Sequence, residues 1–226
     1  MPIDLQPLWL TLKLATVTSI LLFALGVPLA AALAKSRSWW KPVFESLISL
    51  PLVLPPSVLG FYFLIAFSPN SGWGHFLHSV FHLQLVFSFP GLVFGSMLYS
   101  LPFMVQPIQA ALQGLPRSLE EAAFTLGKSR WQTLLYVLLP NIKPALLTGF
   151  VLSFAHTLGE FGLVLMIGGN ISGQTRVASI AIYDDVESLN YASAHVYAGI
   201  LLLISFCILV FVYSGNRRWK LLSSRA

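Results

Sequence analysis

The chain has 226 residues, of which 56% are hydrophobic and only 9% are charged, and its formal net charge is +5. Because a soluble globular domain carries about 25% charged residues, this composition argues against a soluble fold and indicates an integral membrane protein. Cys207 is the only cysteine, which excludes an intrachain disulfide and a cysteine-based metal site.

Five segments are apolar over the about 20 residues that a membrane-spanning helix requires. These segments are 8–34, 43–67, 89–113, 144–168 and 193–214. We therefore expect an all-α integral membrane domain that occupies residues 1–226 and has about five transmembrane helices. The first segment has a long apolar stretch, and its positive charge follows that stretch, which favours a retained helix over a cleaved signal peptide.

The Lys and Arg residues are concentrated on one side of these segments. Eleven of the 13 fall in the connections 35–42 and 114–143 and in a tail that contains Arg217, Arg218, Lys220 and Arg225. Cytoplasmic loops of membrane proteins carry such an excess, so the N-terminus is predicted outside the cell and the C-terminus inside. The charges are divided among short loops, which argues against a nucleic-acid partner.

The second segment contains the sequence LPLVLPPSVLG at 50–60. Its three prolines, Pro51, Pro55 and Pro56, lack a backbone N–H, so up to three helical hydrogen bonds are lost. Broken backbone at membrane depth survives only where it is buried in protein or lines a wet cavity. Two interpretations stay open: a kink that shapes the bundle, and a bent helix whose free carbonyl groups shape a transport pathway.

Two further motifs have structural explanations. His75, His78 and His82 share one helical face in the predicted outer connection, and the absence of a nearby carboxylate favours a water-facing helix side over a metal site. Gly91 and Gly95 form a Gly-x-x-x-Gly pattern, which permits close helix packing either within the subunit or in a dimer.

The connection 114–143 predicts a cytoplasmic helix–turn–helix. Two capping boxes mark helix starts, namely Ser118 with Glu121 and Ser129 with Gln132. Gly127 lies between them, where a helix commonly ends in a left-handed residue, and Pro140 is predicted to close the second helix. An ordered helical pair outside the membrane favours a partner that docks on it.

The same loop contains a partial nucleotide-binding pattern. Residues Gly127-Lys128-Ser129 match the end of Gly-x-x-x-x-Gly-Lys-Ser/Thr, but position 122 is Ala122 instead of glycine, and no strand precedes it. We therefore reject a phosphate-binding loop and expect that any ATP used belongs to a partner.

The fourth segment carries a polar stripe on an apolar helix. Ser153, His156, Thr157 and Glu160 follow the spacing i, i+3, i+4 and i+7, which places them on one face. A carboxylate facing lipid would cost about 3 kcal/mol, so the stripe is predicted to face a polar pathway, a subunit interface or a packed helix. A rival from another class is an intramembrane enzyme in which His156 and Glu160 form an acid–base pair.

One motif in the loop resembles a known family. Glu121-Ala122-Ala123, three residues, Gly127, nine residues and then Val137-Leu138-Leu139-Pro140 resemble the cytoplasmic EAA loop of bacterial ABC importer permeases, with Val137 in place of isoleucine. The runs LPLVLPPSVLG and SFAHTLGEFG at 50–60 and 153–162 are similar to the molybdate group of that family. His156 stands where arginine is expected in many relatives.

The resemblance implies a bacterial inner-membrane permease that forms a homodimer and works with two cytoplasmic ATPase subunits and an external oxyanion-binding protein. Molybdate is the expected cargo, with sulfate or tungstate as alternatives. ATP and Mg²⁺ are used by the ATPase, and no cofactor is expected on this chain. The residues implied in ATPase coupling are Glu120, Glu121, Ala122, Ala123, Leu126, Gly127 and Pro140.

Overall fold

The computed structural model describes residues 4–223, and within this range the chain is helical without any strand. The helices are α1 (Gln6–Lys35), α2 (Lys41–Ser49), α3 (Pro56–Phe67), α4 (Gly72–Phe81), α5 (Phe89–Gln113), α6 (Arg117–Thr125), α7 (Arg130–Thr133), α8 (Leu139–Asn141), α9 (Lys143–Leu158), α10 (Gly162–Gly168), α11 (Ala178–Glu187) and α12 (Tyr191–Ser223). Arg225 lies outside the described residues, as do the side chains of Arg217, Arg218 and Lys220.

Three uninterrupted helical stretches, in α1, α5 and α12, are long and apolar enough to cross a membrane. Up to five spans result if each of two bent helix pairs counts as one span. The two pairs are Lys41–Leu52 with α3 and Arg130–Asn141 with α9. The predicted second segment is divided into α2 and α3, and the predicted fourth segment into α9 and α10. The all-helical prediction is therefore confirmed, whereas two of the five segments are not single helices.

The core of the bundle lies where α1, α5 and α9 pack together. Leu22 of α1 and Met104, Val105 and Ile108 of α5 are almost fully buried in one cluster. Small residues allow this contact, because a Cβ atom at Gly149 would lie 3.0 Å from the backbone oxygen of Met104. Burial of these apolar side chains holds α5 at the centre, and α5 therefore positions the groups described below.

The second segment is broken, which goes beyond the kink considered from the sequence. The helical stretch Lys41–Leu52 meets α3 at an angle of 109°. Pro55 is extended, with φ −55° and ψ 138°, and Pro56 is the first residue of α3. The helix breaks here because neither proline can donate a hydrogen bond to the preceding turn.

Helix α5, in contrast, is not broken by its prolines. It stays helical from Phe89 to Gln113 although Pro102 and Pro107 lie inside it. A Cβ atom at Gly95 would lie 2.7 Å from Ile167 of α10, so this glycine serves packing within the subunit. The Gly-x-x-x-Gly pattern needs no second copy to explain it.

The 114–143 loop contains the predicted helix–turn–helix, with two corrections. Helix α6 begins at Arg117 after the extended Pro116 and has no side-chain cap, so the capping box at Ser118 is wrong. Pro116 takes the cap position instead of Ser118 and starts the helix two residues earlier. The capping box of Ser129 and Gln132 is confirmed.

Pro140 does not close the second helix as predicted. A π-helical turn at Leu134–Leu138 joins α7 to α8, and the helix runs past Pro140 to Asn141. Pro140 is tolerated because it lies in the first turn of α8, after the wider turn has changed the hydrogen-bond register. The chain then bends by 82° into α9.

The histidines at 75, 78 and 82 lie at α4. His75 and His78 are within α4, and His82 follows it in a left-handed conformation with φ 52°. Among the residues that the structure describes, no group of three or more His, Cys, Asp or Glu could hold a metal ion.

Candidate functional site

A break in the fourth segment positions its polar stripe. Helix α9 ends at Leu158, and α10 begins at Gly162. Phe161 has φ −128° and ψ −65°, which is not helical. The hydroxyl of Ser179 in α11 donates to the backbone oxygen of Glu160 at 2.7 Å, which anchors the break to the α11 connection.

A chain of hydroxyl groups fixes His156. The Thr157 hydroxyl donates to the backbone oxygen of Ser153 at 2.9 Å, so its oxygen is left to accept from the Ser100 hydroxyl at 3.1 Å. Ser100 has one hydrogen, already donated, and therefore accepts from Nδ1 of His156 at 2.9 Å. This network assigns the hydrogen of the imidazole to Nδ1 and leaves Nε2 available for another contact.

Two aromatic rings hold the imidazole in place. The ring of Phe103 stacks on His156 with centroids 4.3 Å apart, and the ring of Tyr99 lies 4.7 Å away. Both residues belong to α5. The histidine is thus oriented by a serine and two aromatic residues from one neighbouring helix.

Glu160 is buried without a partner. It is only 4% exposed, and neither carboxylate oxygen has a hydrogen-bond partner among the described residues. A buried charged group is costly unless it is paired or hydrogen-bonded. The Ser96 side chain of α5 lies close enough to interact with this carboxylate.

A cavity of about 530 Å³ opens beside these groups; we call it the His156 cavity. It is lined by Pro56, Ser57, Tyr99, Ala155, His156, Gly159, Glu160, Phe161 and Gly162. The structure therefore brings together three of the predicted pathway residues: Pro56 of α3, His156 of α9 and Glu160 at the break. Ser153 and Thr157 are buried, and neither they nor Pro51 and Pro55 belong to the cavity lining.

Sequence reasoning missed the contribution of α5 to this site. Four residues of the third segment follow helical spacing, namely Ser96, Tyr99, Ser100 and Phe103. The hydroxyl groups of Ser96 and Ser100 are fully buried. That spacing could have identified a second polar face opposite the one on α9. It was obscured because apolar residues surround it on every turn.

The turn of the 114–143 loop has the predicted form. Gly127 has φ +74°, in the left-handed region. Its N–H bonds to the oxygen of Phe124 at 2.9 Å, and the N–H of Lys128 bonds to the oxygen of Ala123 at 3.0 Å. This pair of bonds is the Schellman motif, and it terminates α6.

The loop exposes apolar side chains. Leu126 is 79% exposed, and Phe124, Trp131 and Tyr136 are also exposed. Large exposed apolar groups that cluster in this way are typical of a surface that contacts another protein or the membrane. We call this set, together with the exposed Glu121, the docking surface.

The other residues implied in coupling differ in their environment. Ala122 and Pro140 are exposed, and Ala123 is buried. The carboxylate of Glu120 pairs with the ammonium of Lys35 at the end of α1. Ala123 and Glu120 therefore attach the loop to the bundle, while Ala122 and Pro140 remain accessible.

Comparison with known proteins gives consistent matches. Residues 25–220 match the family described as the binding-protein-dependent transport system inner membrane component. The chain is 45% identical over 214 residues to the molybdenum transport system permease protein ModB of Azotobacter vinelandii, covering 95% of each chain. It is 36% identical over 209 residues to the sulfate transport system permease protein CysT of Escherichia coli (strain K12), covering 92% of this chain and 75% of that protein.

Two solved structures share the fold. A bacterial ABC transporter involved in the import of alginate matches with a TM-score of 0.78 and 19% identity, over 95% of this chain and 79% of that chain. The inward-facing MetNI methionine ABC transporter matches with a TM-score of 0.72 and 17% identity, over 95% and 94% of the two chains. At these identities the likeness concerns the fold alone.

Proposed function

The chain belongs to the family of binding-protein-dependent transport system inner membrane components and is a permease subunit of an ABC importer, and from this premise we propose that its cargo is a tetrahedral oxyanion, molybdate first. The observation that carries this proposal is 45% identity with ModB of Azotobacter vinelandii, compared with 36% for CysT of Escherichia coli. Sulfate and tungstate are the alternatives, since all three are tetrahedral dianions.

In this proposal the permease performs no bond chemistry and couples a partner's ATP hydrolysis to movement of the anion. Two copies of the chain form the membrane part, and each binds one cytoplasmic ATPase subunit through the docking surface. An external binding protein delivers the anion to the opposite side. ATP and Mg²⁺ belong to the ATPase.

The geometry of the loop supports this coupling. The exposed Leu126 follows directly on α6, and the helix formed by α7 and α8 leads through the 82° bend into α9. Because α9 carries His156 and ends at the break before Glu160, displacement of the docking surface reaches the His156 cavity through one continuous segment. The two bundles then alternate between outward-open and inward-open states, as rigid bodies do in switching transporters.

The His156 cavity is the proposed part of the anion pathway. Nε2 of His156 and the Tyr99 side chain supply polar groups to a site whose other walls are mostly apolar. A Glu160 carboxylate repels an anion, so we propose that Glu160 acts as part of the closed gate. When the gate opens, the Glu160 carboxylate moves away from the anion path or accepts a hydrogen bond from the second copy of the chain.

The rival reading as an intramembrane enzyme has less support. Nδ1 of His156 is engaged by Ser100, and no hydrogen bond joins His156 to Glu160 among the described residues. An acid–base pair requires such a contact or a bridging water. The matched relatives are also transport permeases.

The experiment that tests the cargo uses the complete transporter in proteoliposomes. The permease, its ATPase and its external binding protein are reconstituted, and ATP-dependent uptake is measured with molybdate, tungstate and sulfate in competition. We expect molybdate to be taken up and to suppress sulfate uptake. Uptake of sulfate that molybdate does not inhibit would contradict the proposal.

A further inference from the structure

A second polar cavity lies between α2 and α5. It has a volume of about 240 Å³, and its lining includes Glu45, Ser49, Gln106, Gln109, Ala110 and Gln113; we call it the glutamine cavity. The three glutamines follow the spacing i, i+3 and i+7, which places them on one face of α5. Glu45 and Ser49 face them from one side of α2.

The amide groups of this cavity have donors to spare. Nε2 of Gln106 donates to the Ser49 hydroxyl at 3.0 Å, and Nε2 of Gln109 donates to a Glu45 carboxylate oxygen. A glutamine amide carries two hydrogens, so one hydrogen of each remains after these bonds. These N–H groups are suited to a ligand that accepts hydrogen bonds.

The charge of the cavity is nearly balanced. Glu45 is the single charged residue in its described lining, and the Lys41 ammonium lies 3.8 Å from the Glu45 carboxylate. No Lys or Arg is among these lining residues. An oxyanion would therefore meet neutral amide donors beside one carboxylate that Lys41 compensates. Such a site holds the anion weakly enough to be released, as a transport site requires.

The glutamine cavity continues the face of the His156 cavity. Tyr99 lines the first cavity and Gln106 the second, and seven residues of helix separate them by about 10 Å on the same face. Phe103 lies between them on α5 and stacks on His156. A ligand that leaves the first cavity along α5 passes Phe103 and next meets Gln106 and Gln109.

These polar groups also exclude lipid as the neighbour of this face. Unsatisfied polar groups facing hydrocarbon cost several kcal/mol each, so the face is either wet or covered by protein. Gln113 is the last residue of α5 and directly precedes the 114–143 loop. The glutamine cavity therefore lies at the loop end of α5.

We infer that Gln106 and Gln109 form an exit subsite for the transported tetrahedral oxyanion, on the ATPase side of Phe103. The inference rests on the proposed function and adds a site to it. In the occupied state the spare amide hydrogens and the Ser49 hydroxyl donate to the anion oxygens. Lys41 keeps the Glu45 charge compensated while the anion is present.

Because Cys207 is the single cysteine of the chain, its replacement leaves an introduced cysteine as the one thiol that a reagent can label. In a Cys207→Ser background, Ala110→Cys places one thiol in the cavity lining without removing a donor. The complete transporter is reconstituted in proteoliposomes, and a membrane-impermeant thiol reagent is added on the ATPase side, with molybdate, sulfate or chloride. The matched control is Ser38→Cys, an exposed position in the connection between α1 and α2 and outside the cavity lining.

We expect molybdate and sulfate, but not chloride, to slow labelling of Ala110→Cys. The slowing follows 1 + [L]/Kd, about tenfold when the anion concentration is ~9 times Kd. The double change Gln106→Leu with Gln109→Leu should abolish this protection, and Gln106→Asn with Gln109→Asn should retain part of it. Ser38→Cys should be labelled at the same rate with and without anions.

Several outcomes overturn the inference. Labelling of Ala110→Cys at equal rates with and without oxyanion, or no labelling from the ATPase side, contradicts an exit subsite. Protection that survives the double leucine change contradicts the role of the amides, provided that this variant still co-purifies with its ATPase. Oxyanion uptake by the unmodified transporter, measured in the same vesicles, separates failure of this site from failure of the proposed function.

Discussion

The Lys35 ammonium at the end of α1 pairs with the Glu120 carboxylate of α6, 85 residues later in the chain. The two side chains are 38% and 31% exposed, and ion pairs of this exposure stabilise a fold by about 0–1 kcal/mol. The contact therefore contributes little to folding. It attaches the start of the helix–turn–helix to the longest helix of the central bundle.

The first prediction concerns this attachment. Glu120→Gln should change the stability of the transporter by less than about 1 kcal/mol, yet lower oxyanion uptake per ATP by up to about fivefold, the factor that 1 kcal/mol gives. The reason is that α6 can then move without displacing α1. Uptake and ATP hydrolysis are measured in the same proteoliposomes, and Lys35→Met should have the same effect without adding to it. Additive losses would contradict a shared contact.

The second prediction concerns the turn at Gly127. Gly127→Val should uncouple ATP hydrolysis from uptake, because the residue has φ +74° and a left-handed conformation costs an L-residue about 1–2 kcal/mol. A Cβ atom there meets no atom within 4 Å, so the effect comes from the backbone and not from a clash. The control is Gly72→Val, where a Cβ atom also meets nothing within 4 Å and φ is ordinary. Normal uptake by Gly127→Val would count against the role of the turn.

The third prediction concerns the docking surface. Glu121 is exposed, and Glu121→Lys should weaken the association with the ATPase while leaving membrane insertion intact. The amount of ATPase that co-purifies with the permease measures this association. Ser118→Lys introduces the same side chain on the same helix without removing a carboxylate and serves as the control. If the ATPase co-purifies equally well with Glu121→Lys, the docking surface is assigned wrongly.

The fourth prediction concerns the hydroxyl network behind His156. Ser100→Ala leaves Nδ1 of His156 without its acceptor and removes the donor to the Thr157 oxygen, which costs about 1–3 kcal/mol. It should reduce uptake because the imidazole loses its orientation. Ser19→Ala is a matched control, since both serines are 0% exposed but the Ser19 hydroxyl has no hydrogen-bond partner in the described structure. Thermal unfolding of the purified complex measures the difference. Equal unfolding temperatures for the two variants would refute the network.

The fifth prediction concerns the proposed gate. Glu160→Gln keeps the shape of the side chain and removes its charge, so an anion should be repelled less from the closed path. We expect a larger leak of oxyanion without ATP, measured as efflux from loaded proteoliposomes. A leak unchanged from that of the unmodified transporter would show that the carboxylate charge does not close the path.

The local elements of the loop could be predicted from sequence because each rests on one residue type. Gly127 and the Ser129 capping box identify the turn and the start of α7, and the structure confirms both. The predicted start of α6 is two residues too late because Pro116, and not Ser118, takes the cap position. The prolines at 51, 55 and 56 predicted lost hydrogen bonds, but the 109° angle depends on how α3 packs against α10.

The site itself was predicted only in part. The α9 stripe was visible because charged and polar residues are rare in an apolar helix. Its partners Tyr99, Ser100 and Phe103 are 53 to 57 residues away in sequence from His156, and their pairing depends on the packing of α5 against α9. Local periodicity carries no information on which helices meet, so Gln106 and Gln109 were missed for the same reason.

The side of the membrane on which the 114–143 loop lies tests the central claim most directly. In a Cys207→Ser background, Lys128→Cys is treated with a membrane-impermeant thiol reagent in right-side-out and inside-out vesicles. The account predicts labelling only in inside-out vesicles, with protection when the ATPase is bound. Labelling only in right-side-out vesicles would contradict it, because a partner that hydrolyses ATP in the cytoplasm could not then reach the docking surface.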